Sequence, residues 1–374
     1  MERLKQVLEE VHDPRRDYGN KRHKLASILG IALCSEICGG EGFDAMEEFG
    51  ETRREWLERY FELPNGTPCA DTFRRVFERL DSKELLKCLN KWLEKELLMQ
   101  SGGRSVNIDG KTMRGSGEIE EGLTPYHVVS AWVDEYEMVL GQLETEGKSN
   151  EITAIPALLD MIDVRGDIVS IDAMGCQKEI AAKIRGKGAD YVLAVKDNHP
   201  TLHEDIREYF QWAEREPDRI SSDIWRGDIE KGHGRIERRE ITTITDVSWL
   251  RRVGEWADLN TIIRYRCTHY AGEETSCTDR YYISSFETIP EQFGYLVRNH
   301  WSIENRLHWM LDVLFCEDAS KVSKGFSPLN LSVLRKVALS CLQRAPTPKK
   351  ISVRRKMMRA ALDPDFLHLV LFGG

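Results

Sequence analysis

The stretch DIVSIDAMGCQKEIAAKI, residues 167–184, joins a short apolar strand pattern to a helix pattern, and Asp172 stands between the two. A second stretch, RSVNIDGKTMRGS at residues 104–116, places Asp109 directly after another short apolar run. A carboxylate at the end of a strand is either a turn residue or part of a site. The rest of the sequence has to decide between these two interpretations.

Five strand patterns and two helix patterns surround these aspartates. The strand patterns occupy residues 105–110, 126–134, 138–145, 166–173 and 191–198. The helix patterns occupy residues 149–162, with Ser149 or Asn150 as the cap, and residues 176–188, closed by glycine. The first three strands are predicted to be antiparallel, and the last two, joined by a helix, parallel. Residues 104–198 therefore predict a mixed α/β sheet.

Residues 1–100 have helical patterns instead of strand patterns. Apolar residues recur at helical spacing in residues 23–40, 43–61 and 69–97. A new helix is predicted to start at Asp81 and Ser82, with Glu84 close behind as a cap signal. The stretch SGGRS at residues 101–105 is a predicted linker.

Residues 199–280 form a long polar stretch with one helix pattern and several strand patterns. A helix pattern at 201–216 is followed by strand patterns at 235–245, 260–270 and 279–286, and residues 289–315 then form a strong amphipathic helix pattern. The arginines of KGHGRIERRE at 231–240 are compatible with a DNA-facing edge or with a structural hairpin.

A block of positive charge lies near the C-terminal end of the chain. The net charge of −9 argues against a nucleic-acid partner for the chain as a whole, but residues 335–359 contain nine Lys or Arg and no Asp or Glu. Such a block is either a polyanion site or a solvated tail, and charge alone does not decide between them.

Composition predicts a cytoplasmic protein. No apolar run approaches the roughly 20 residues of a membrane helix, and the charged N-terminus has no apolar signal core. Nine cysteines without CxxC pairs predict reduced, mostly buried thiols and argue against a cysteine metal site.

The two aspartates predict a metal site. Ligand sites in α/β sheets lie outside the carboxyl ends of the strands, so Asp109 and Asp172 would share a crevice if their strands are neighbours. Adjacent carboxylates repel each other unless a cation neutralises them, and Mg²⁺ prefers such oxygen ligands. Glu304, in the middle of the last helix pattern, is the best candidate for a third carboxylate.

Two other interpretations of these residues are weaker. His300, Glu304 and His308 share a helical face and offer a zinc site, but the spacing is not HExxH and no cysteine joins them. An aspartyl nucleophile of the phosphatase type at Asp172 would require a DxD arrangement, which is absent.

Four motifs resemble the DDE transposases of bacterial insertion sequences. They are NIDGKTMRGS at 107–116, the run from EGKSNEITAIP at 146–156 through SIDAMGCQKEIA at 170–181, YVLAVKDN at 191–198, and NHWSIENRLHWMLDV at 299–313. The sequence is most similar to the ISAs-type group and to the H-repeat-associated proteins found beside Rhs elements. The resemblance covers nearly the whole chain, from HDPR at 12–15 to RRKMMRAALDPDFL at 354–367.

The resemblance implies a ribonuclease H-like fold in three parts. These are a helical, candidate DNA-binding domain at 1–100, a catalytic domain at 104–345 with a β-rich insertion at 199–280, and a basic C-terminal tail at 346–374. It also implies that Asp109, Asp172 and Glu304 are the three catalytic acids and hold Mg²⁺ or Mn²⁺, with two ions in the site.

The implied activity is metal-dependent cleavage of DNA at the ends of an insertion sequence, followed by strand transfer. The implied partners are double-stranded DNA, as terminal inverted repeats and target, and a second copy of the chain in a synaptic homodimer. No membrane is involved, and the protein would act in a bacterial cytoplasm at the nucleoid. The alternative is an inactive, vestigial protein that keeps the fold and binds DNA. The presence of all three acids favours activity.

The sequence departs from its relatives around the third acid. Related transposases carry an Arg four positions before this Glu and a Lys seven positions after it, whereas His300 and Leu311 stand at these places here. The predicted DNA contacts are Lys111, Lys196, Arg298, His300, Arg306, Arg354, Arg355 and Lys356. Lys111 and Lys196 are equally compatible with ordinary solvent lysines. Glu317 is the next candidate for the third acid after Glu304.

Overall fold

The computed structural model describes residues 2–16, 21–96, 100, 102–117, 122–145, 147, 150–232, 235–271 and 274–373. The chain forms two compact units. The first unit comprises Met1–Gln100, Gly110–Asn150 and Glu304–Gly374, and the second comprises Ser101–Asp109 and Glu151–Ile303. These units group the residues differently from the predicted domains at 1–100, 104–345 and 346–374. The domain limits therefore stay a prediction. The predicted linker and the predicted cap at Ser149 lie partly outside the described residues.

Helices and strands of the described residues are numbered in chain order. The helices are α1 (Glu2–Glu9), α2 (Leu25–Ile37), α3 (Gly42–Thr52), α4 (Arg54–Leu57), α5 (Ala70–Phe77), α6 (Ser82–Glu96), α7 (Glu151–Met161), α8 (Lys178–Gly186), α9 (Pro200–Arg215), α10 (Pro290–Ser302), α11 (Trp309–Leu314), α12 (Ser327–Arg344), α13 (Val353–Leu362) and α14 (Pro364–Phe372). The strands are β1 (Ser105–Thr112), β2 (His127–Val133), β3 (Met138–Thr145), β4 (Ile168–Ile171), β5 (Asp190–Val195), β6 (Asp223–Arg226), β7 (Glu230–Gly232), β8 (Arg235–Ile244), β9 (Thr261–Ala271) and β10 (Glu274–Ser284). A π-helical segment, Ile303–His308, separates α10 from α11.

Helix α2 is enclosed on all sides in the first unit. Every residue from Leu25 to Ile37 is buried, and α2 packs against α1, α3 and α12. A helix that is apolar all round has to be buried all round, so its composition explains its central place. Within the described residues, no single helix is long and apolar enough to cross a membrane. The bent pair α2 and α3 meets that test only when the two helices are taken together, by length and composition alone.

The N-terminal helices follow the predicted pattern. Helix α6 begins at Ser82, where the Oδ1 atom of Asp81 accepts hydrogen bonds from the backbone N–H groups of Lys83 at 2.8 Å and Glu84 at 3.3 Å. This bonding satisfies N–H groups that have no partner inside the helix, which confirms the predicted start.

Strands β2 and β3 form an antiparallel hairpin in the first unit. Helices α6 and α12 pack against β3. Asn90 of α6 donates two hydrogen bonds, to the carbonyl of Val139 at 3.0 Å and to that of Leu140 at 2.8 Å. These bonds fix the helix to the strand in one register.

The basic C-terminal segment is folded and partly buried. Helix α13 packs against α2, α12 and α14, with Ser352 as its cap. Three of the nine cations counted in the sequence are buried: Arg335, Lys336 and Lys356. Lys356 donates to the carbonyls of Gln343 and Ala345, each at 2.8 Å. A polyanion site and a solvated tail both require exposed charges, whereas these three charges are used inside the fold.

The second unit is built on a mixed sheet. Its strand order is β1-β4-β5-β10-β9-β8-β6, with β7 paired to β8. Strands β4 and β5 are parallel, which confirms the predicted parallel pairing. Strand β1 is also parallel to β4, and the later pairs are antiparallel. Strand β10 pairs with β5, so the predicted β-rich insertion continues this sheet.

A buried apolar cluster holds α10 against this sheet. Phe293 and Val297 of α10 pack with Val192, Ile241 and Ile263 from three strands. All five side chains are buried, which gives α10 a fixed position over β5, β8 and β9.

A buried ion pair sets the register between β1 and β4. Asp167, which is fully buried, precedes β4, and Arg104 precedes β1. The Arg104 guanidinium donates through Nε to both carboxylate oxygens at 2.9 Å, and Asp167 Oδ1 also accepts from the backbone N–H groups of Gly102 and Arg104. A one-residue slip would break this network, so it fixes which residues of the two strands face each other.

Candidate active site

The register of β1 and β4 brings Asp109 and Asp172 to the same level. Ile108 faces Ile171 in this parallel pair, and each aspartate is the next residue of its chain. Neighbouring strands lie about 4.8 Å apart and side chains alternate along them, so the two carboxylates project from the same side of the sheet. Both residues are only partly buried. Two carboxylates are therefore held side by side within reach of solvent.

Asp172 is both a turn residue and a site candidate. Its Oδ1 atom accepts hydrogen bonds from the backbone N–H groups of Met174 at 3.0 Å and Gly175 at 3.3 Å. A Cβ atom at Gly175 would lie 2.2 Å from Ile171 Cγ2, so only glycine allows this close turn. The small residues after Asp172 thus hold the carboxylate at the strand end.

Two hydrogen bonds join the loops that follow β4 and β5. Asn198 Nδ2 donates to the carbonyl of Ala173 at 2.6 Å, and His199 Nε2 donates to the carbonyl of Cys176 at 2.5 Å. These bonds hold the segment that carries Lys196 beside the Asp172 turn. Lys196 is exposed and follows the last residue of β5. It is a cation at the same edge of the sheet as the aspartates.

A row of polar side chains lies on the strands just before the two aspartates. Ser170 Oγ donates to Asn107 Oδ1 at 2.6 Å and lies 2.9 Å from His300 Nδ1. Because the hydroxyl has a single proton, His300 Nδ1 is the donor of the second bond. Burial lowers the pKa of His300 and outweighs Asp109 and Asp172, which raise it. The imidazole is therefore neutral near pH 7.

A neutral imidazole at His300 does not balance the negative charge of Asp109 and Asp172, so other cations have to balance it. Lys196 is close enough to affect His300 electrostatically and supplies one positive charge. Two adjacent carboxylates in a partly buried site favour a bound cation. The donor set is made of oxygens, which fits Mg²⁺ or Mn²⁺.

Comparison with known proteins decides the family. A family model described as "Transposase DDE domain" matches residues 101–333, and one described as "DDE_Tnp_1-associated" matches residues 5–93. The chain belongs to the DDE transposase family. It is 38% identical to "Putative transposase YncI" of Escherichia coli O157:H7, over 95% of this chain and 91% of that protein. It is also 38% identical to "H repeat-associated putative transposase YhhI" of Escherichia coli K12, over 94% and 93%.

One solved structure of a transposase is a weak match. A piggyBac transposase in a synaptic complex with hairpin DNA aligns over 98% of this chain and 79% of that chain. The TM-score is 0.43 and the identity 10%, so this likeness supports no conclusion of its own.

The predicted third acid of this transposase lies in the π-helical segment. Glu304 is exposed, and it is the second residue of the segment. The sequence predicted one continuous helix here, and no residue type marked the interruption. Wider helical turns of this kind are common at functional sites. They also alter the four-residue spacing on which the zinc interpretation of Glu304 and His308 depended.

Lys111 has carboxylate partners in the structure. Its ammonium lies 2.7 Å from Asp312, 3.2 Å from Glu317 and 2.9 Å from Asp318. Burial alone would lower the pKa of Lys111, but these three acids raise it to about 12. A phosphate near this ammonium would be repelled by all three, so Lys111 is left out of the proposed DNA contacts.

Glu317 is also committed to this cluster. It is 2% exposed, and although burial alone would raise its pKa, Lys111, Lys336 and Arg335 lower the pKa of this carboxyl. Glu317 therefore contributes an ionised partner inside the first unit, and Glu304 stays the preferred third acid.

The other predicted DNA contacts fall into two groups. Arg298 is half exposed and pairs with Glu230 at 2.9 Å, and Arg306 pairs with Asp134 at 3.2 Å. Arg354 and Arg355 are exposed on the outer face of α13. Exposed ion pairs are weak, so Arg298 and Arg306 stay available to a phosphate at small cost. Lys356 is buried and donates to backbone carbonyls, so it is not among the proposed DNA contacts.

Two polar residues of the site were missed by the sequence reasoning. Asn107 and Ser170 are buried, and each stands two positions before an aspartate. The strands have the parallel patterns VNID at 106–109 and VSID at 169–172. A polar residue within a buried strand needs a partner, so this repeated pattern was an available signal.

Proposed function

We propose that this protein catalyses metal-dependent DNA strand cleavage and strand transfer at the ends of an insertion sequence, in a bacterial cytoplasm. The observation that carries the proposal is the pair Asp109 and Asp172, level with each other directly after the last paired residues of β1 and β4, Ile108 and Ile171. Family membership gives the reaction class, and the pair of carboxylates gives the place where a metal ion would bind.

The two aspartates would hold Mg²⁺ or Mn²⁺ through their carboxylate oxygens, and Glu304 would supply a third ligand. Two such ions, if bound there, would supply a charge that activates the attacking oxygen and one that stabilises the leaving oxygen of a phosphodiester. In the first step, water attacks phosphorus and the bond to the 3′-oxygen breaks, which leaves a 3′-hydroxyl at the element end. In the second step, that hydroxyl attacks phosphorus in the target DNA, and the bond from phosphorus to the target 3′-oxygen breaks. The element end is then joined to the 5′-phosphate of one target segment, and the other segment leaves with a 3′-hydroxyl.

Other side chains of the proposed site orient His300 and Asp172. Asn107 and Ser170 hold the imidazole of His300 in one orientation, and the turn after Asp172 fixes one of its oxygens. Lys196 lies at the same edge and would contact a phosphate as a point charge. His300, Arg298 and Arg306 stay predicted DNA contacts, and a homodimer that pairs two DNA ends stays a prediction from the family.

Replacement Glu304→Gln tests the third acid. The amide keeps the size of the side chain but is a poorer ligand for a hard cation than an ionised carboxylate. We expect cleavage with Mg²⁺ or Mn²⁺ to fall about a hundredfold, equivalent to about 2.7 kcal/mol. Because Glu304 is exposed, the urea midpoint should change little.

The measurement is single-turnover nicking of DNA that carries the terminal inverted repeats of the element. Glu291→Gln on the exposed face of α10 is the matched control and should cleave at the wild-type rate. Wild-type cleavage by Glu304→Gln would remove this residue from the proposed site. Metal-independent cleavage by the wild-type protein would overturn the proposed function itself.

Helix α13 is the proposed contact with the DNA backbone. Arg354 and Arg355 are adjacent and exposed, and Lys349 and Lys350 precede them on the exposed connection from α12. Asp and Glu are absent from residues 335–359. These four residues are exposed cations of the basic block, and such a cluster fits a phosphate backbone better than a solvated tail with random charge.

The double replacement Arg354→Gln, Arg355→Gln should weaken DNA binding and flatten its salt dependence. Each phosphate contact contributes about 0.9 to the slope of log K against log salt, so the slope should fall by up to about 1.8. Fluorescence anisotropy across a salt series measures it. The control is Arg207→Gln, Arg219→Gln, which removes two exposed arginines that pair with acids of their own segment. An unchanged slope in the first variant would return α13 to the solvated interpretation.

A further inference from the structure

A second group of metal-ligand side chains lies on strands β8 and β9, on the sheet of the second unit. Glu237 of β8 faces His269 of β9, and Cys267 stands two residues before His269. Residues two apart on a strand share a face, so all three side chains are on one side of the sheet. The cluster is carried by the part of the chain that the sequence assigned to an insertion.

The ligand atoms are already close together. The distance from His269 Nδ1 to Glu237 Oε1 is 3.2 Å, and one ligand atom from each of the three residues lies within 4.8 Å of the others. Metal–ligand bonds of about 2.0–2.3 Å in a tetrahedral zinc site separate neighbouring ligands by about 3.3–3.8 Å. Small side-chain rotations would therefore close the group around one ion.

Glu237 is oriented by a second interaction. Its other oxygen, Oε2, accepts a hydrogen bond from Arg239 at 2.6 Å, and Arg239 also pairs with Glu230 at 2.7 Å. Ligating carboxylates are commonly held by such partners, which leave one oxygen directed at the metal. A plain cross-strand pair between Glu237 and His269 would explain their contact, but not the thiol beside it.

Cys267 supplies the donor that selects the metal. Its side chain is a free thiol. Burial and Glu237 raise the pKa of this thiol, whereas Arg239 and Arg280 lower it. A cation bound here would displace the proton and be neutralised by one thiolate and one carboxylate. Cysteine, histidine and carboxylate together are ligands for Zn²⁺, whereas Mg²⁺ takes oxygen ligands.

We propose that Glu237, Cys267 and His269 form a Zn²⁺ site, with water as the fourth ligand, that links β8 to β9. This site is independent of the proposed DNA cleavage and of the Mg²⁺ or Mn²⁺ held by Asp109 and Asp172. Its consequence is structural: it would hold in one arrangement the part of the sheet that carries Arg239 and Glu230, and Glu230 pairs with Arg298 of α10.

The test is Co²⁺ titration of the full-length, chelator-treated protein in the absence of Mg²⁺. We expect one equivalent of Co²⁺ per chain to give a thiolate-to-cobalt charge-transfer band and the intense visible bands of four-coordinate cobalt, both removed by one equivalent of Zn²⁺. Cys267→Ser should abolish the charge-transfer band. Cys277→Ser is the matched control, because Cys277 pairs with Thr268 on the opposite face of the sheet, and it should keep the band.

Two further variants make the result decisive if Cys267→Ser does not fold. His269→Gln and Glu237→Gln keep the thiol and should weaken Co²⁺ binding at least about tenfold. Absence of a charge-transfer band in folded wild-type protein would overturn the proposal. The zinc site would equally be excluded if the band persists in Cys267→Ser, disappears in Cys277→Ser, or is unaffected by both His269→Gln and Glu237→Gln.

Discussion

Asp172→Asn should lower metal-dependent DNA cleavage by at least about a thousandfold while the protein stays folded. A catalytic metal ion is worth several kcal/mol of transition-state stabilisation, and each 1.36 kcal/mol is tenfold in rate. The amide oxygen of asparagine can still accept the two backbone hydrogen bonds that Asp172 accepts from Met174 and Gly175. The turn should therefore survive while the ionised ligand is lost.

The measurement combines a cleavage rate with a metal affinity, and urea unfolding checks that the variant keeps its fold. Single-turnover nicking of terminal-repeat DNA in Mg²⁺ and in Mn²⁺ gives the rate. Mn²⁺ binding, followed by electron paramagnetic resonance of free Mn²⁺, gives the affinity. We expect both to be lost in Asp172→Asn and in Asp109→Asn, with urea midpoints close to that of the wild type.

Asp197→Asn is the matched control. Asp197 is 99% exposed and follows Lys196 at the same edge of the sheet, so its replacement makes the same charge change close by. It should cleave within about twofold of the wild type, because surface changes are nearly neutral. An equal loss of cleavage rate in Asp197→Asn and Asp172→Asn would mean that the rate depends on the total negative charge at this edge and not on a metal ligand at Asp172.

The parts of this site that the sequence predicts are those set by local pattern. The alternation of strand and helix around residues 167–198 predicts the parallel pair of β4 and β5, and Asp172 follows the last residue of β4 as expected. The prediction that Asp109 ends its strand is wrong, because β1 continues to Thr112. The resemblance to transposases adds Glu304. These inferences need only the spacing of residues within a few turns or strands.

The rest depended on contacts between distant parts of the chain. The pattern of residues 274–284 does not show that β10 pairs with β5. Likewise, the residues around Lys111 do not show that its ammonium pairs with acids about two hundred positions later. Counting the charges at residues 335–359 does not show which of these side chains are buried. Three of its cations are buried with partners from the same unit, and this pairing is visible only in the fold.

The largest stability effect should come from Asp167→Asn. Arg104 and Asp167 are 6% and 0% exposed at their side chains, so the pair is isolated from water. Asparagine still accepts from the backbone N–H groups of Gly102 and Arg104, but it leaves the guanidinium without a counter-charge. Removing one partner of a buried pair costs about 3–5 kcal/mol, which urea unfolding of the full-length protein would measure.

The control is an exposed pair of the same kind. Arg185 donates to Asp258 at 2.8 Å, and the Asp258 side chain is 64% exposed. Asp258→Asn should cost less than about 1 kcal/mol, because solvent and salt screen exposed pairs. A similar loss from both variants would mean that burial is not what makes the first pair important.

A second replacement separates two effects of Asp167→Asn: the uncompensated charge of Arg104 and the loss of the register between β1 and β4. Arg104→Met in the Asp167→Asn background removes the uncompensated guanidinium while the backbone hydrogen bonds to residue 167 remain, so at least half of the lost free energy of unfolding should return. If the network sets the register between β1 and β4, the double variant should still cleave more slowly than the wild type when fully folded. A slip or loosening there moves Asp109 out of level with Asp172. Full recovery of both stability and cleavage would show that the ion pair supports the fold but that the apolar contacts of the two strands alone set their register.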